Sequence, residues 1–311
     1  MTPTFTLLHT ESVNMNMDSV CHIILIPVIN GKPRDIIEYF LNPETDFDLV
    51  TSGITESEVK SFGKYKDEWR ELQMDLMATP WIVSSADGYS ARALHGTLER
   101  LGIHYHDMRY CNAKAICRKT YDEISYSLNY LADKFGYDGL EDTDPIGIAK
   151  FWTEMVVNGL SCVDSPDLAT FLKDVKIIPG LISSKGLIPS RIKKENKYKA
   201  PHHLDTDAIE ITPQEDNPFF ESTVVFTGKL NSLTRDQART SVISIGGFSP
   251  DTLTKATNYL VVGAQDLRVV GEKGLSGKMK KAADYKAKGA DIEIIDENDF
   301  IDMIGAENLK K

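Results

Sequence analysis

The sequence predicts an α/β protein made of two folded units. Its 311 residues exceed the length of one typical domain. In the first half, the apolar runs Phe5–Leu8, Val20–Val28 and Ile36–Leu41 indicate antiparallel strands, with a turn at Asn30-Gly31. The C-terminal part alternates strand and helix patterns, which is typical of a parallel sheet covered by helices. We therefore expect a mixed α/β sheet followed by a smaller parallel α/β module.

Helix patterns follow the strands in the first half, with one short buried strand, Trp81–Ser84, between the first two. The predicted helices are Ser57–Met77, Ala91–Leu101, Tyr121–Phe135 and Ile146–Val157. Three strands followed by alternating helices and strands favour a mixed sheet. We place this first unit at residues 1–160.

Residues 161–216 are predicted to be a linker. After a short helix candidate, Pro166–Val175, the stretch contains Pro, Gly and Ser but no sustained periodicity. Its basic cluster consists of Lys185, Arg191, Lys193, Lys194, Lys197 and Lys199. Two interpretations stay open: a solvated tether between the units, or a strand that follows a nucleic-acid backbone.

Composition bounds the class of protein. Hydrophobic residues make up 41% of the chain and charged residues 26%, as in ordinary globular proteins. The chain has no long apolar run, and its N-terminus lacks the pattern of a signal peptide, so we expect a cytoplasmic protein without a membrane span. The four cysteines form no CxxC pair, which argues against a zinc site or a disulfide framework.

The net charge of −11 argues against a protein that coats nucleic acid, because such binding depends on neutralising phosphates. Residues 1–160 hold 24 Asp and Glu against 14 Lys and Arg, so nearly all of the excess negative charge lies in the first unit. Any contact with nucleic acid is therefore expected to be local.

The module at residues 217–307 contains three strand–helix pairs. Its predicted strands and helices are Ser222–Phe226, Arg235–Ile245, Tyr259–Val262, Lys278–Lys288, Ile292–Ile295 and Asn298–Ile304. Thr234 and Gln237 have the spacing of a capping box at the start of the first helix, and Gly246-Gly247 ends it.

The second helix of this module begins with Lys278, Lys280 and Lys281. The helix dipole disfavours cations in the first turn by up to about 1 kcal/mol each, and a nearby anion would offset that cost. The Thr227-Gly228 turn after the first strand offers a hydroxyl and a close-approaching amide. A bound phosphate is one interpretation, and lysines solvated on a polar face are the other.

Four segments of the module carry a family resemblance: VVFTGKLNSLTRDQARTSVISIGGF, YLVVG, GLSGKMKKAADYKAKGADIEII and DENDFIDMI. Together they resemble a BRCT domain, of the type that ends bacterial NAD-dependent DNA ligases, over about 217–306. In that family the matching positions bind a phosphoserine or a DNA 5′-phosphate. The resemblance implies a four-stranded parallel sheet and phosphate contacts from Thr227, Gly228, Lys278 and Arg235. Phe300 stands where many members have Trp.

The first unit carries a second resemblance through the order of FTLLHTESV, FLNPETDF, SGITESEV, WIVSSADGYSARALHGTLERLGI and SYSLNYLADKFGYDGLEDTDPIGIAKFW. This order is similar to the DnaQ-like, DEDD proofreading exonucleases of the polymerase III epsilon type, which have an RNase H-like fold. The resemblance implies a carboxylate cluster that holds two Mg²⁺ ions about 4 Å apart, with a His as general base.

The chain departs from that pattern at each motif. The first motif, Asp-x-Glu in the family, is His9-Thr10-Glu11 here, and the second places Ser90 where the family has an aspartate. In the third, Asp142 or Asp144 can occupy the aspartate position, but no His lies between His106 and His202. Glu11 and Asp142 are thus the remaining candidate metal ligands. Asp87 lies on the turn before the helix that should carry this second metal ligand. Its spacing therefore disfavours it as a replacement for the aspartate that is Ser90 here.

These features favour a protein associated with DNA replication or repair, with an inactive 3′–5′ exonuclease-like unit and a phosphate-binding BRCT domain. Its expected partner is a DNA end, a single strand or a phosphorylated protein, and it needs no cofactor. One alternative is an active exonuclease with an atypical Mg²⁺ or Mn²⁺ site, and another is a protein-interaction scaffold without nucleic-acid contact. Whether the chain is an enzyme, and its oligomeric state, stay open.

Overall fold

The computed structural model describes residues 1–14, 16–48, 53–137, 139–141, 143–192, 209–215, 217–263, 277–305 and 308–309. The chain divides into two compact units. The first consists of Met1–Asp122 and Phe135–Lys193, and the second of Glu123–Lys134 and Lys194–Lys311. Both units combine helices and strands, so the predicted α/β class is confirmed.

Eleven strands lie in the described part of the first unit, and nine of them form one mixed sheet in the order β10-β9-β7-β6-β1-β2-β4-β5, with β3 beside β2. β8 and β11 pair separately. The strands are β1 (Phe5–Ser12), β2 (Val20–Ile29), β3 (Lys32–Pro33), β4 (Ile37–Asn42), β5 (Gly63–Lys64), β6 (Ile82–Ser84), β7 (Met108–Asn112), β8 (Ile177–Ile178), β9 (Gly180–Ser183), β10 (Gly186–Ile188) and β11 (Arg191–Ile192).

The predicted antiparallel meander is confirmed, with strands longer than their apolar runs. β2 pairs antiparallel with both β1 and β4. Asn30 and Gly31 both have positive φ, at 50° and 74°, as a two-residue hairpin turn with the right twist requires. β6 and β7 add parallel strands on the other side of β1, which makes the sheet mixed.

Helices cover this sheet. The described helices up to residue 174 are α1 (Glu56–Ser61), α2 (Tyr65–Leu76), α3 (Tyr89–Arg100), α4 (Ala113–Thr120), α5 (Leu128–Lys134), α6 (Pro145–Ser161) and α7 (Leu168–Asp174). α5 belongs to the second unit and the others to the first. Leu72, Leu94 and Leu98 on α2 and α3 pack with Leu8 of β1 in one fully buried cluster.

Two predicted helices differ from the structure. Ser57–Met77 is interrupted, because Phe62 is extended and Gly63–Lys64 pairs with β4 as β5. Tyr121–Phe135 is helical only in its second half, as α5, since Tyr121 is extended and ends α4. In both places a tertiary strand pairing or an extended cap overrides a helical pattern of apolar residues.

The range predicted as linker begins with ordered structure. Residues 168–192 form α7 and the strands β8 to β11, and β9 pairs antiparallel with β7 and with the edge strand β10 of the large sheet. Ile182 of β9 is fully buried in the core cluster. Strands this short have too few residues to show a period, so the sequence pattern missed them. Of the basic cluster, Lys185 and Arg191 lie here, and Lys193, Lys194, Lys197 and Lys199 lie outside the described residues.

In its described residues the second unit has a three-stranded parallel sheet in the order β12-β13-β14, covered by helices. Besides α5, its elements are β12 (Val224–Thr227), α8 (Arg235–Ser244), β13 (Tyr259–Val262), α9 (Gly277–Ala287), β14 (Glu293–Asp296) and α10 (Glu297–Ile304). The resemblance implied four parallel strands; the described residues show these three, together with an isolated parallel bridge between Thr223 and Phe248. The capping box of Thr234 and Gln237 is present.

Apolar side chains line both faces of this small sheet. Val224 and Phe226 point into one buried cluster with Phe300 of α10, and Val225 lies in a second cluster with Met279 of α9. Successive side chains of a strand alternate between faces, so a strand buried on both sides needs a continuous apolar run. The run from Val224 to Phe226 meets that need.

Other expectations concern the whole chain. No helix in the described ranges is long and apolar enough to cross a membrane.

All four cysteines are free thiols, with Cys162 exposed and the others buried. Burial raises the pKa of the Cys111 and Cys117 thiols to about 12, so neither is a reactive thiolate near neutral pH.

Candidate functional sites

The four residues predicted to bind phosphate lie around the carboxyl end of β12. Thr227 ends this strand, and Gly228 follows with φ of +74°, a conformation that favours glycine. Lys278, in the first turn of α9, donates from Nζ to the Phe226 carbonyl at 3.3 Å and to the Asp251 carbonyl at 3.2 Å. Arg235 begins α8 and donates from Nη2 to the Gly228 carbonyl at 2.9 Å. The two cations thus bind carbonyls on either side of Thr227.

The positive charges of this cluster are close enough to affect each other. Partial burial lowers the pKa of Lys278, and the Arg235 guanidinium lowers it further, against a smaller opposing effect of Asp251. The Asp251 carboxylate forms an ion pair with Arg239, with 2.9 Å between Oδ1 and Nη1. An anion beside Lys278 and Arg235 would relieve their repulsion.

The other lysines of α9 point elsewhere. Lys281 places its ammonium 5.5 Å from the centre of the Tyr285 ring, and Lys280 is exposed. Of the three lysines that crowd the first turn, only Lys278 bonds to the end of β12 in the described part of the chain.

In the first unit, three of the four predicted motif residues form a hydrogen-bonded cluster. His9 Nε2 lies 3.0 Å from Glu11 Oε1, and His9 Nδ1 lies 2.9 Å from Ser85 Oγ. Ser85 Oγ is 3.1 Å from Ser90 Oγ, which accepts the Thr10 amide at 3.0 Å. His9 and Glu11 share a face of β1 because they are two residues apart. Asp142 lies outside the described residues.

The proton positions in this cluster follow from the donors and acceptors. An ionised Glu11 only accepts, so His9 carries its proton on Nε2 and, when neutral, accepts at Nδ1 from the Ser85 hydroxyl. Ser85 then accepts from Ser90, whose oxygen already takes the Thr10 amide. In this assignment each of the named hydrogen bonds joins a donor to an acceptor.

This cluster does not fit a two-metal site. Among the described residues it offers one carboxylate, one imidazole and two hydroxyls, whereas a pair of Mg²⁺ ions needs several carboxylate oxygens. Within the described ranges, no group of three or more His, Cys, Asp or Glu side chains is arranged to hold a metal ion.

Asp87, the replacement ligand that spacing disfavoured, has other partners. Its carboxylate accepts from Lys114 Nζ at 2.9 Å and from Arg118 Nη1 at 2.8 Å, and the Lys114 side chain is only 2% exposed. Burial raises the pKa of Asp87, but Arg118 and Lys114 outweigh that effect and hold the pKa well below its ordinary value.

Sequence reasoning missed this buried ion-pair cluster because it missed α4, which carries both cations. The i, i+4 spacing of Lys114 and Arg118 was the available signal. Gly88, next to Asp87, has φ of +88°, and a Cβ on it would lie 2.5 Å from Asn112 Oδ1. The turn before α3 therefore requires glycine.

Several bacterial DNA ligases share part of this sequence. The chain is 38% identical over 143 residues to a DNA ligase of Dehalococcoides mccartyi strain BAV1, a match that covers 43% of the chain and 19% of the ligase. It is 34% identical over 148 residues to the DNA ligase of Maricaulis maris, which covers 44% of the chain and 19% of the ligase. The chain thus spans about a fifth of the length of these ligases.

Two further comparisons concern families and solved structures. No protein-family model matches the chain. A structure of exonuclease X in complex with 5′ overhanging duplex DNA aligns with a TM-score of 0.40 and 14% identity, over 50% of this chain and 91% of the exonuclease.

Proposed function

We propose that this protein acts in DNA replication or repair by binding a phosphate-bearing DNA end through a BRCT domain at residues 217–307. The observation that carries the proposal is the pair of cations, Lys278 and Arg235, bound to carbonyls on either side of Thr227. The partial match to DNA ligases supports DNA as the source of the phosphate. Residues 1–160 are proposed to be an exonuclease-like, RNase H-like domain that has lost two-metal catalysis.

The chemistry of the cation pair favours a phosphate over a carboxylate. A phosphate monoester presents three oxygens and close to two negative charges, so Lys278 and Arg235 can each donate to it while the Thr227 hydroxyl and the Gly228 amide take a third oxygen. These interactions would offset the burial and the Arg235 charge, which now lower the pKa of Lys278. A terminal 5′-phosphate offers this charge, and an internal phosphodiester carries only one.

The binding claim is tested with two DNA duplexes that differ only at the 5′ end. Fluorescence anisotropy of the full chain should give at least about tenfold tighter binding to the 5′-phosphate than to the 5′-hydroxyl duplex, as one or two charge-assisted hydrogen bonds would provide. Equal affinities would contradict the proposal. Equal affinities together with tight binding of a phosphoserine peptide would instead identify a phosphoprotein as partner.

The loss of catalysis is a separate prediction. A 3′-labelled single strand incubated with the chain and Mg²⁺ or Mn²⁺ should release no nucleotide above the blank, because the described cluster provides one carboxylate where two metal ions need several. Steady release that Glu11→Gln abolishes would establish the alternative, an exonuclease with an atypical metal site. Release that survives Glu11→Gln would indicate a contaminating nuclease.

A further inference from the structure

The second unit contains a short segment from the first half of the chain. Glu123–Lys134 groups with residues 194–311, although both of its flanks belong to the first unit. The chain therefore passes from one unit to the other more than once. This passage was not anticipated, because the predicted first unit ran without interruption over residues 1–160.

The segment adds to the outer edge of the small parallel sheet. In the described residues β14 is the last strand of that sheet, so its outward amides have no strand partner within the sheet. The Ile294 amide of β14 donates to the Ile124 carbonyl at 3.0 Å, and Ser125 forms a parallel bridge with Ile294. Ser125 is 1% exposed and Ile124 packs on the apolar cluster beneath α9.

Helix α9 holds the same segment from the side. The Lys286 ammonium donates to the Glu123 carbonyl and lies 5.3 Å from the centre of the Tyr126 ring. Tyr126 is 3% exposed, so this cation–π contact is largely shielded from water. Within the segment, Tyr130 donates to Glu123 at 2.9 Å, which closes it into a compact turn before α5.

From these contacts we propose that the outer edge of β14 is a strand-docking surface whose occupant is the chain's own segment Glu123–Lys134. Main-chain pairing at a sheet edge provides affinity, and apolar and cationic side contacts select the strand that binds. Here the selecting contacts are the apolar cluster under Ile124 and the ammonium of Lys286. The C-terminal module is thus completed by residues that lie far from it in sequence, and its edge is closed to foreign strands.

Hydrogen exchange in the full chain tests this proposal. The Ile294 amide should exchange slowly in the unmodified protein, since Ile124 accepts its proton. Ile124→Asp, which puts a charge against the apolar cluster, and Lys286→Met, which removes the ammonium, should each speed Ile294 exchange by about tenfold or more. Asp133→Asn, at an exposed position of α5, is the matched control and should leave the rate unchanged.

Amides of the central strand β13 separate undocking from unfolding. If they stay protected in Ile124→Asp or Lys286→Met while Ile294 exchanges faster, the segment has left an intact sheet. Fast Ile294 exchange in the unmodified chain would overturn the proposal. So would an Ile294 exchange rate that neither variant changes from that of the unmodified chain. Protection that falls on dilution would also overturn it, because the segment would then come from a second copy.

Discussion

Replacing Lys278 by alanine is expected to weaken binding to a 5′-phosphorylated DNA end by about tenfold to a hundredfold, the loss expected for one charge-assisted hydrogen bond. Binding to the 5′-hydroxyl duplex should hardly change, because Lys278 is held at the end of β12 and not on the open face of α9. Anisotropy titrations with both duplexes measure the two affinities.

Lys280→Ala is the matched control for this prediction. Lys280 lies two residues further along the same helix and is exposed, so its loss removes the same charge from the protein's field without touching the end of β12. An equal loss of affinity in both variants would show that binding depends on net charge and not on a site. Arg235→Ala should resemble Lys278→Ala, since both side chains bind carbonyls beside Thr227.

Phosphate binding should also be visible in the titration of Lys278. Its pKa is lowered by burial and by Arg235, and a bound phosphate favours the charged ammonium, so the pKa should rise when phosphorylated DNA is added. Nuclear magnetic resonance of the lysine side chain follows this change. A pKa that stays the same at saturating DNA would place the phosphate elsewhere.

Asp87→Asn is expected to lower the free energy of unfolding by about 3 kcal/mol, near the lower end of what breaking a buried ion pair costs. The variant keeps the shape of the side chain but removes the charge that Arg118 and the buried Lys114 share. Urea unfolding followed by far-ultraviolet circular dichroism measures the change. Asp107→Asn, at an exposed position, should change it by less than about 0.5 kcal/mol.

The effect of Asp87 should depend on pH in a defined direction. Its pKa in the folded protein lies below the ordinary aspartate value of 3.8, so its stabilising contribution is complete above that value and is lost as the pH falls toward the folded pKa. The stability gap between the protein and Asp87→Asn should therefore be constant near neutral pH and shrink below about pH 4. A gap that widens on acidification would contradict this account.

Elements with a strong local signal were predictable from the sequence. β13 has the predicted bounds, and α8 begins at the predicted residue because its capping box depends on residues three apart. The meander was predictable because three apolar runs follow one another and a two-residue turn separates the second from the third. By contrast, β8 to β11 are two to four residues long, and no periodic pattern can mark strands of that length.

The candidate sites divide in the same way. The residue types of the degenerate site followed from motif order, and the pairing of His9 with Glu11 on one face follows from strand geometry. By contrast, Ser85 links His9 to Ser90 by hydrogen bonds only because β1, β6 and α3 meet in the folded protein. Likewise, the sequence pointed to Lys278, but its carbonyl partners and its repulsion from Arg235 exist only once β12, α8 and α9 pack together.

The sequence thus determined the α/β class, the strand–helix order of the C-terminal module and the residue types at both candidate sites, since these depend on local periodicity, caps and spacing. The tertiary structure alone determined the buried cluster of Asp87, Lys114 and Arg118 and the addition of Glu123–Lys134 to the edge of β14. The cations of the ion-pair cluster lie on α4, a helix that the sequence pattern did not indicate. The segment Glu123–Lys134 pairs with a strand that is far from it in sequence. These contacts depend on which surfaces meet in the folded chain, and a local sequence pattern cannot indicate which surfaces those are.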